Sequence, residues 1–166
     1  MGAKLGRRKS RAPDPVREKL LVGAGFEGVV SKDIRRDIWM KLLGNVCFNP
    51  VSVLTGVSTD LMLDDPYMSR LFAAMMGEAL SIGNALGLDI ALKPEERMAQ
   101  TRKLGPIKTS MLQDIEAGRP IELDGIVGSA VEIAAHLKLE TPFINAVFGS
   151  VRVRAAGLGL YTAQPA

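Results

Sequence analysis

Apolar residues recur at helical spacing along most of the chain. Val16, Leu20 and Leu21 predict a helix from Pro15 to about Ala24, ended by Gly23 and Gly25. Phe26–Val30 is a short strand candidate. Ile34, Ile38, Trp39, Leu42 and Leu43 mark a second helix, for which Ser31 can serve as N-cap. Asn49-Pro50 should interrupt or kink it, because proline has no backbone N–H to donate and disfavours helix at the residue before it. A loop is expected near Gly56–Asp65. Asp65-Pro66 then opens a long helical pattern to about Leu86, and Pro94-Glu95-Glu96 opens another. Thr109-Ser110 can cap a short helix that Gly118 ends. Glu122–Leu137 and Pro142–Arg154 read as the last two helices, the latter capped by Thr141. With no internal repeat and no low-complexity tract, the pattern describes an all-α, or nearly all-α, domain. Its expected extent is 13–156, between a basic tail over 1–12 and a loose end over 157–166.

Composition narrows the function classes. The chain has 166 residues, one domain's worth, and 47% apolar residues, enough for a core and too many for wholesale disorder. Aromatics at 5% argue against a β-sandwich and against a stacking platform for single-stranded nucleic acid. One cysteine and one histidine exclude an internal disulfide, a cysteine-based zinc site and a histidine-rich metal cage, so no metal is expected. No run of roughly 18 apolar residues predicts a membrane span, and a reducing cytoplasm fits. The net charge of +3 is unevenly spread: residues 1–19 hold seven basic and two acidic residues, while the remainder is slightly acidic. A basic globular surface for DNA is therefore not supported. The N-terminal segment reads as a solvated tail or linker, a phosphate-contacting arm or a targeting peptide.

Gly23-Ala24-Gly25-Phe26-Glu27-Gly28 matches the G-x-G-x-x-G pattern of dinucleotide sites. That motif must follow a strand and open a helix, so that the helix N-terminus faces the pyrophosphate. Here a charged amphipathic stretch precedes it and a β-like stretch follows. A glycine helix stop before a tight turn accounts for it better.

Two other clusters carry more information. Lys41, Asn45 and Asn49 are spaced i, i+4, i+8 within a strongly apolar stretch, so a continuing helix would align them in one stripe. Such a stripe either faces solvent or lines a cleft. In a cleft, Lys41 would serve as proton donor or anion contact and the asparagines as paired donors and acceptors. The second cluster runs from Thr109 to Glu122. Ser110 near a helix start is either an ordinary cap or a carboxylate contact assisted by backbone N–H groups. Glu122 opens the next helix, where a negative charge suits the helix dipole. Gly125 and Gly128 would let another helix approach closely. Cys47 and His136 read as packing residues, and nothing supplies a nucleophile–base pair.

These residues resemble a known family. Ile38-Trp39-Met40-Lys41-Leu42 with Asn45, then Asn49-Pro50, Ser110-Met111-Leu112-Gln113-Asp114 and Gly118-Arg119-Pro120-Ile121-Glu122-Leu123-Asp124, are similar to the C-terminal helical domain of ketopantoate reductase (2-dehydropantoate 2-reductase). The likeness covers about Ala12 to Arg154 and includes the domain-junction residues Ala24-Gly25-Phe26 and Ser31-Lys32-Asp33-Ile34. It implies a fold like the C-terminal domain of 6-phosphogluconate dehydrogenase, with the family's N-terminal Rossmann domain absent. It also implies NADPH-dependent reduction of ketopantoate to pantoate, the precursor of pantothenate and coenzyme A. Lys41 would be the general acid, Asn45 and Asn49 substrate contacts, Ser110 a neighbour of the substrate carboxylate, and Glu122 the carboxylate that contacts substrate and lysine. NADP(H) would be held mainly by the missing domain, with none bound tightly here. The partners implied are ketopantoate or a related 2-oxo acid, a Rossmann domain in cis or in trans, and a second subunit in a homodimer. Many members carry Asn-Gly where Thr59-Asp60 aligns here, a departure that bears on which 2-oxo acid is used. Without its Rossmann domain the chain is expected to be inactive alone, and a non-catalytic helical dimerisation or interaction module is the alternative.

Overall fold

The computed structural model describes residues 15–27 and 30–162. The tail over 1–12 and part of the strand candidate, Gly28 and Val29, lie outside them. Among the described residues every regular element is helical: α1 (Pro15–Gly23), α2 (Ile34–Thr55), α3 (Thr59–Asp64), α4 (Pro66–Ala85), α5 (Pro94–Arg102), α6 (Ser110–Glu116), a π-helical turn (Asp124–Gly128) running into α7 (Ser129–Leu137), and α8 (Pro142–Gly157). No helix among them is long and apolar enough to cross a membrane.

Helix α2 is the axis. It packs against α4, α6, α8 and the π turn, and from Leu43 to Val53 almost every residue is buried. Phe72, Met75, Met76 and Ile82 of α4, with Ile144 and Val151 of α8, complete the core around it. Phe48 and Phe72 lie ring to ring at 4.6 Å. Trp39 crosses to α4 and donates Nε1–H to the Ala79 carbonyl at 3.0 Å. It fits because Gly83 has no side chain: a Cβ there would lie 2.4 Å from Trp39 Nε1.

Several local expectations are corrected. Pro50 does not interrupt α2, which runs on to Thr55. The missing N–H leaves only the Val46 carbonyl without its usual partner, and burial of both flanks keeps the backbone helical. The loop expected over Gly56–Asp65 contains α3, whose Met62 and Leu63 are buried, with α4 and α5 packed against it. Asp33, not Ser31, caps α2 by accepting the Arg36 N–H at 3.2 Å; Ser31 instead accepts the Asp33 N–H and donates to Asp37. Thr141 makes no capping bond to α8. The two carboxylate oxygens of Glu78, on α4, accept the Phe143 and Ile144 N–H groups at 2.9 Å each. A distant residue thus satisfies the helix start and ties α8 to α4. His136 is exposed in the last turn of α7 rather than packed.

The stretch beyond Gly157, expected to be loose, is docked over Leu158–Tyr161. Ile121 N–H donates to the Leu160 carbonyl, and Tyr161 Oη donates to Asp124 at 2.7 Å. Of the two glycines expected to permit close approach, Gly128 meets Phe148 of α8 at 3.4 Å from a built Cβ, whereas Gly125 has open space around it.

Candidate active site

The continuity of α2 aligns the polar stripe that the spacing allowed. Lys41 is exposed, Asn45 is half-buried and Asn49 is buried. Asn45 and Asn49 line a cleft of about 200 Å³. Its wall includes Gly44, Thr59, Arg97, Thr101, Lys108 and Ser110. Both asparagines of the stripe and Ser110, 61 residues beyond Asn49 in the chain, are therefore brought to one place.

A buried hydroxyl relay sets Ser110 beside Asn49. Thr109 Oγ1 lies 2.6 Å from Ser52 Oγ, and Ser52 donates to the Asn49 carbonyl at 2.7 Å. Thr109 Oγ1 in turn accepts the Leu112 N–H at 3.2 Å and so caps α6. Satisfying these donors requires Thr109 to donate to Ser52, because each hydroxyl carries one proton. The preceding loop is anchored by Thr59 N–H to the Ile107 carbonyl at 2.9 Å, and Lys108 Nζ is gripped by both oxygens of Glu116 at 2.7 and 2.9 Å. Thr59 is itself part of the cleft wall.

Lys41 and Glu122 do not line this cleft. Lys41 lies one helical turn before Asn45 on the same stripe, about 6 Å along the axis. Glu122 is exposed and borders a separate hollow of about 610 Å³ with Asp124, Leu160 and Tyr161. Neither has an ion-pair partner among the described residues, so the lysine–glutamate pair is not made here. Tyr161 closes that hollow. Partial burial and the bond to Asp124 raise its phenol above the ordinary value, and the Arg152 guanidinium lies 5.9 Å from its ring.

Sequence reasoning missed Arg97 and Thr101 on α5. Arg97 Nη1 donates to Thr101 Oγ1 at 3.0 Å, and Thr101 donates back to the Arg97 carbonyl at 3.3 Å. A glycine in the middle of an apolar helix, Gly44, was the one available signal. It marks a close approach without saying by what: a Cβ at Gly44 would lie 2.5 Å from Arg97 Nη2.

Cys47 does not line the cleft. It is fully buried, and burial, reinforced by Glu78 and opposed by Arg97, pushes its thiol far above the ordinary range. It is a packing residue. The glycine pattern at Gly23–Gly28 is likewise accounted for over its described part. Gly25 N–H donates to the Val22 carbonyl and Phe26 N–H to the Leu21 carbonyl, with Gly25 at φ +83°, a helix-terminating turn after α1.

Comparison with known proteins gives a consistent result. The family described as Ketopantoate reductase PanE/ApbA C terminal matches residues 33–155. The chain is 38% identical over 162 residues to the 2-dehydropantoate 2-reductase of Mesorhizobium japonicum, covering 98% of this chain and 49% of that protein. A solved structure from Ralstonia solanacearum MolK2 is 45% identical with a TM-score of 0.83, over 89% of this chain and 44% of that one. The 2-dehydropantoate 2-reductase from Methylococcus capsulatus is 29% identical with a TM-score of 0.79, over 90% of this chain and 47% of that one. The chain spans about half the length of the curated relatives it matches.

Proposed function

The chain belongs to the ketopantoate reductase C-terminal family, and from that premise we propose that it is the substrate-binding and catalytic part of an NADPH-dependent 2-dehydropantoate 2-reductase. The convergence of Asn45, Asn49 and Ser110 on one cleft carries this reading. In it, the asparagine amides hold the substrate's oxygen atoms and the Ser110 hydroxyl donates to its carboxylate. The Lys41 ammonium gives a proton to the alkoxide that forms as the ketone is reduced, and its charge stabilises that oxygen beforehand. Glu122 orients the Lys41 ammonium once the two are brought together over bound substrate. A cytoplasmic location is part of the same proposal.

The described residues do not fit NADP(H). The glycine pattern at Gly23–Gly25 ends a helix instead of opening one, so it offers no row of N–H groups to a pyrophosphate. The nucleotide is assigned to a Rossmann domain, in cis or in trans.

The test is NADPH oxidation with ketopantoate, by the chain alone and mixed with an isolated Rossmann domain of the family. Activity is expected only in the mixture, and Lys41→Ala should lower it roughly 10²- to 10⁴-fold, the usual worth of a general acid. Oxidation by the pure chain, or an unimpaired Lys41→Ala mixture, would overturn the assignment.

A second reading, an interaction module, is favoured by one observation. Val16, Leu20, Leu21 and Val22 of α1, then Phe26, Ile34 and Ile38, are all exposed. That much exposed apolar surface on one stretch of chain calls for a cover, either the Rossmann domain or a second copy of the chain. Sedimentation that is monomeric at every concentration would count against self-association.

A further inference from the structure

Arg97 is the guanidinium that the cleft leaves without a counter-ion. It is half-buried and lines the same wall as Asn45, Asn49 and Ser110. The other cation of that wall, Lys108, is engaged by Glu116, and Arg102 and Arg119 pair with Asp64 and Asp114. Arg97 has no carboxylate within ion-pairing distance among the described residues. Of its five N–H donors, Nη1 is directed to Thr101 and fixes the side chain's course. The group is held close against α2, in the space a side chain at residue 44 would fill. Placing an unpaired positive charge in a partly desolvated wall is costly unless an anion completes it. Apart from the paired Lys108, the rest of the lining is neutral: amides and hydroxyls beside the apolar Phe48, Leu104 and Ile107, so Arg97 is the cation there without a carboxylate partner.

We propose that Arg97 is the anchor for the carboxylate of the 2-oxo acid, a substrate-positioning residue that selects acids over their uncharged counterparts. The proposal rests on the reductase reading for the identity of the acid, not for the existence of the anion site. A guanidinium presents two parallel N–H groups to a carboxylate, which orients the adjacent keto carbon as well as binding the charge.

The experiment is a set of binding titrations on the full 166-residue chain, followed by NMR. The probes are ketopantoate, pyruvate, ketopantoyl lactone (which has no carboxylate) and inorganic phosphate. Arg97→Met keeps the aliphatic stem and Arg97→Lys keeps the charge; circular dichroism and thermal melting check that both are folded. Arg97→Met should weaken ketopantoate binding roughly 10- to 150-fold, the worth of a charge-assisted hydrogen-bonded pair. Arg97→Lys should restore part of that loss, and lactone binding should not change. Equal loss for acid and lactone would mean a packing role and overturn the proposal. So would phosphate competing as strongly as the acid, or no saturable binding of either 2-oxo acid to the folded wild-type chain. Arg97-dependent binding of pyruvate with none of ketopantoate would uphold the anchor and refute the ketopantoate assignment. Arg97-independent binding of ketopantoate would do the reverse.

Discussion

Gly44→Ala separates the fold from the cleft. Alanine in place of glycine inside a helix gains about 0.8–1 kcal/mol, and Gly44 lies in mid-α2. Against this, the new Cβ would stand 2.5 Å from Arg97 Nη2 and 3.2 Å from its Cζ. Ordinary contact needs roughly 3.5 Å or more, so something must move by about 1 Å. That neighbour, the guanidinium, is the far end of a flexible side chain, and its bond to Thr101 is worth about 0.5–1.5 kcal/mol. The two contributions nearly cancel. Stability should stay within about 1 kcal/mol of the wild type, a melting shift of about 2–4 °C at most for a domain of this size. Ketopantoate binding by calorimetry should nonetheless weaken about tenfold, because the guanidinium can no longer lie against α2. In an Arg97→Met background the same change should have no further effect on binding, since it acts through Arg97. Two results would refute this reasoning: a loss of more than about 3 kcal/mol, meaning that backbone rather than guanidinium gives way, or an equal binding loss in both backgrounds.

Two further predictions concern the frame around the site. Glu78→Gln should cost about 1–2 kcal/mol by chemical denaturation, because an amide can present only one oxygen to the two N–H groups that start α8 and loses the charge; an unchanged midpoint would show that water replaces the cap. In a Tyr67→Phe background, the Tyr161 phenol should titrate above the ordinary value of about 10 when followed by phenolate absorbance, and Asp124→Asn should lower it. Since the folded state holds that proton more tightly, the stability it lends is complete below the unfolded value and is lost as pH rises through the folded one; a phenol in the ordinary range would show that Tyr161 does not stay docked.

The helix starts were legible because their chemistry is local. Pro66, Pro94 and Pro142 each sit in the first turn of a helix, and Asp65 accepts the N–H groups of Tyr67 and Met68. Pro50 misled for the same reason: a local rule met a helix buried on both flanks, and packing prevailed. α3 has only six residues, too few to establish a period. The cap of α8 was not legible because its acceptor, Glu78, lies 65 residues before the first donor it serves. The candidate site divides along the same line. Asn45 and Asn49 share one helix face, so spacing alone aligned them, and the resemblance added Ser110 to their company. Arg97 stayed hidden because its significance depends on the void at Gly44, a relation between two helices that no stretch of sequence displays.

Trp39 gives the protein a built-in optical reporter. It is the chain's single tryptophan, 6% exposed, bonded to Ala79 across the α2–α4 seam and two residues from Lys41. Its fluorescence therefore arises from one place. Emission at short wavelength means α2 is seated on α4, and a red shift means that seam has opened to water. Any titration of the chain with heat, denaturant or ligand can thus be followed, without a label, at the helix that presents the stripe.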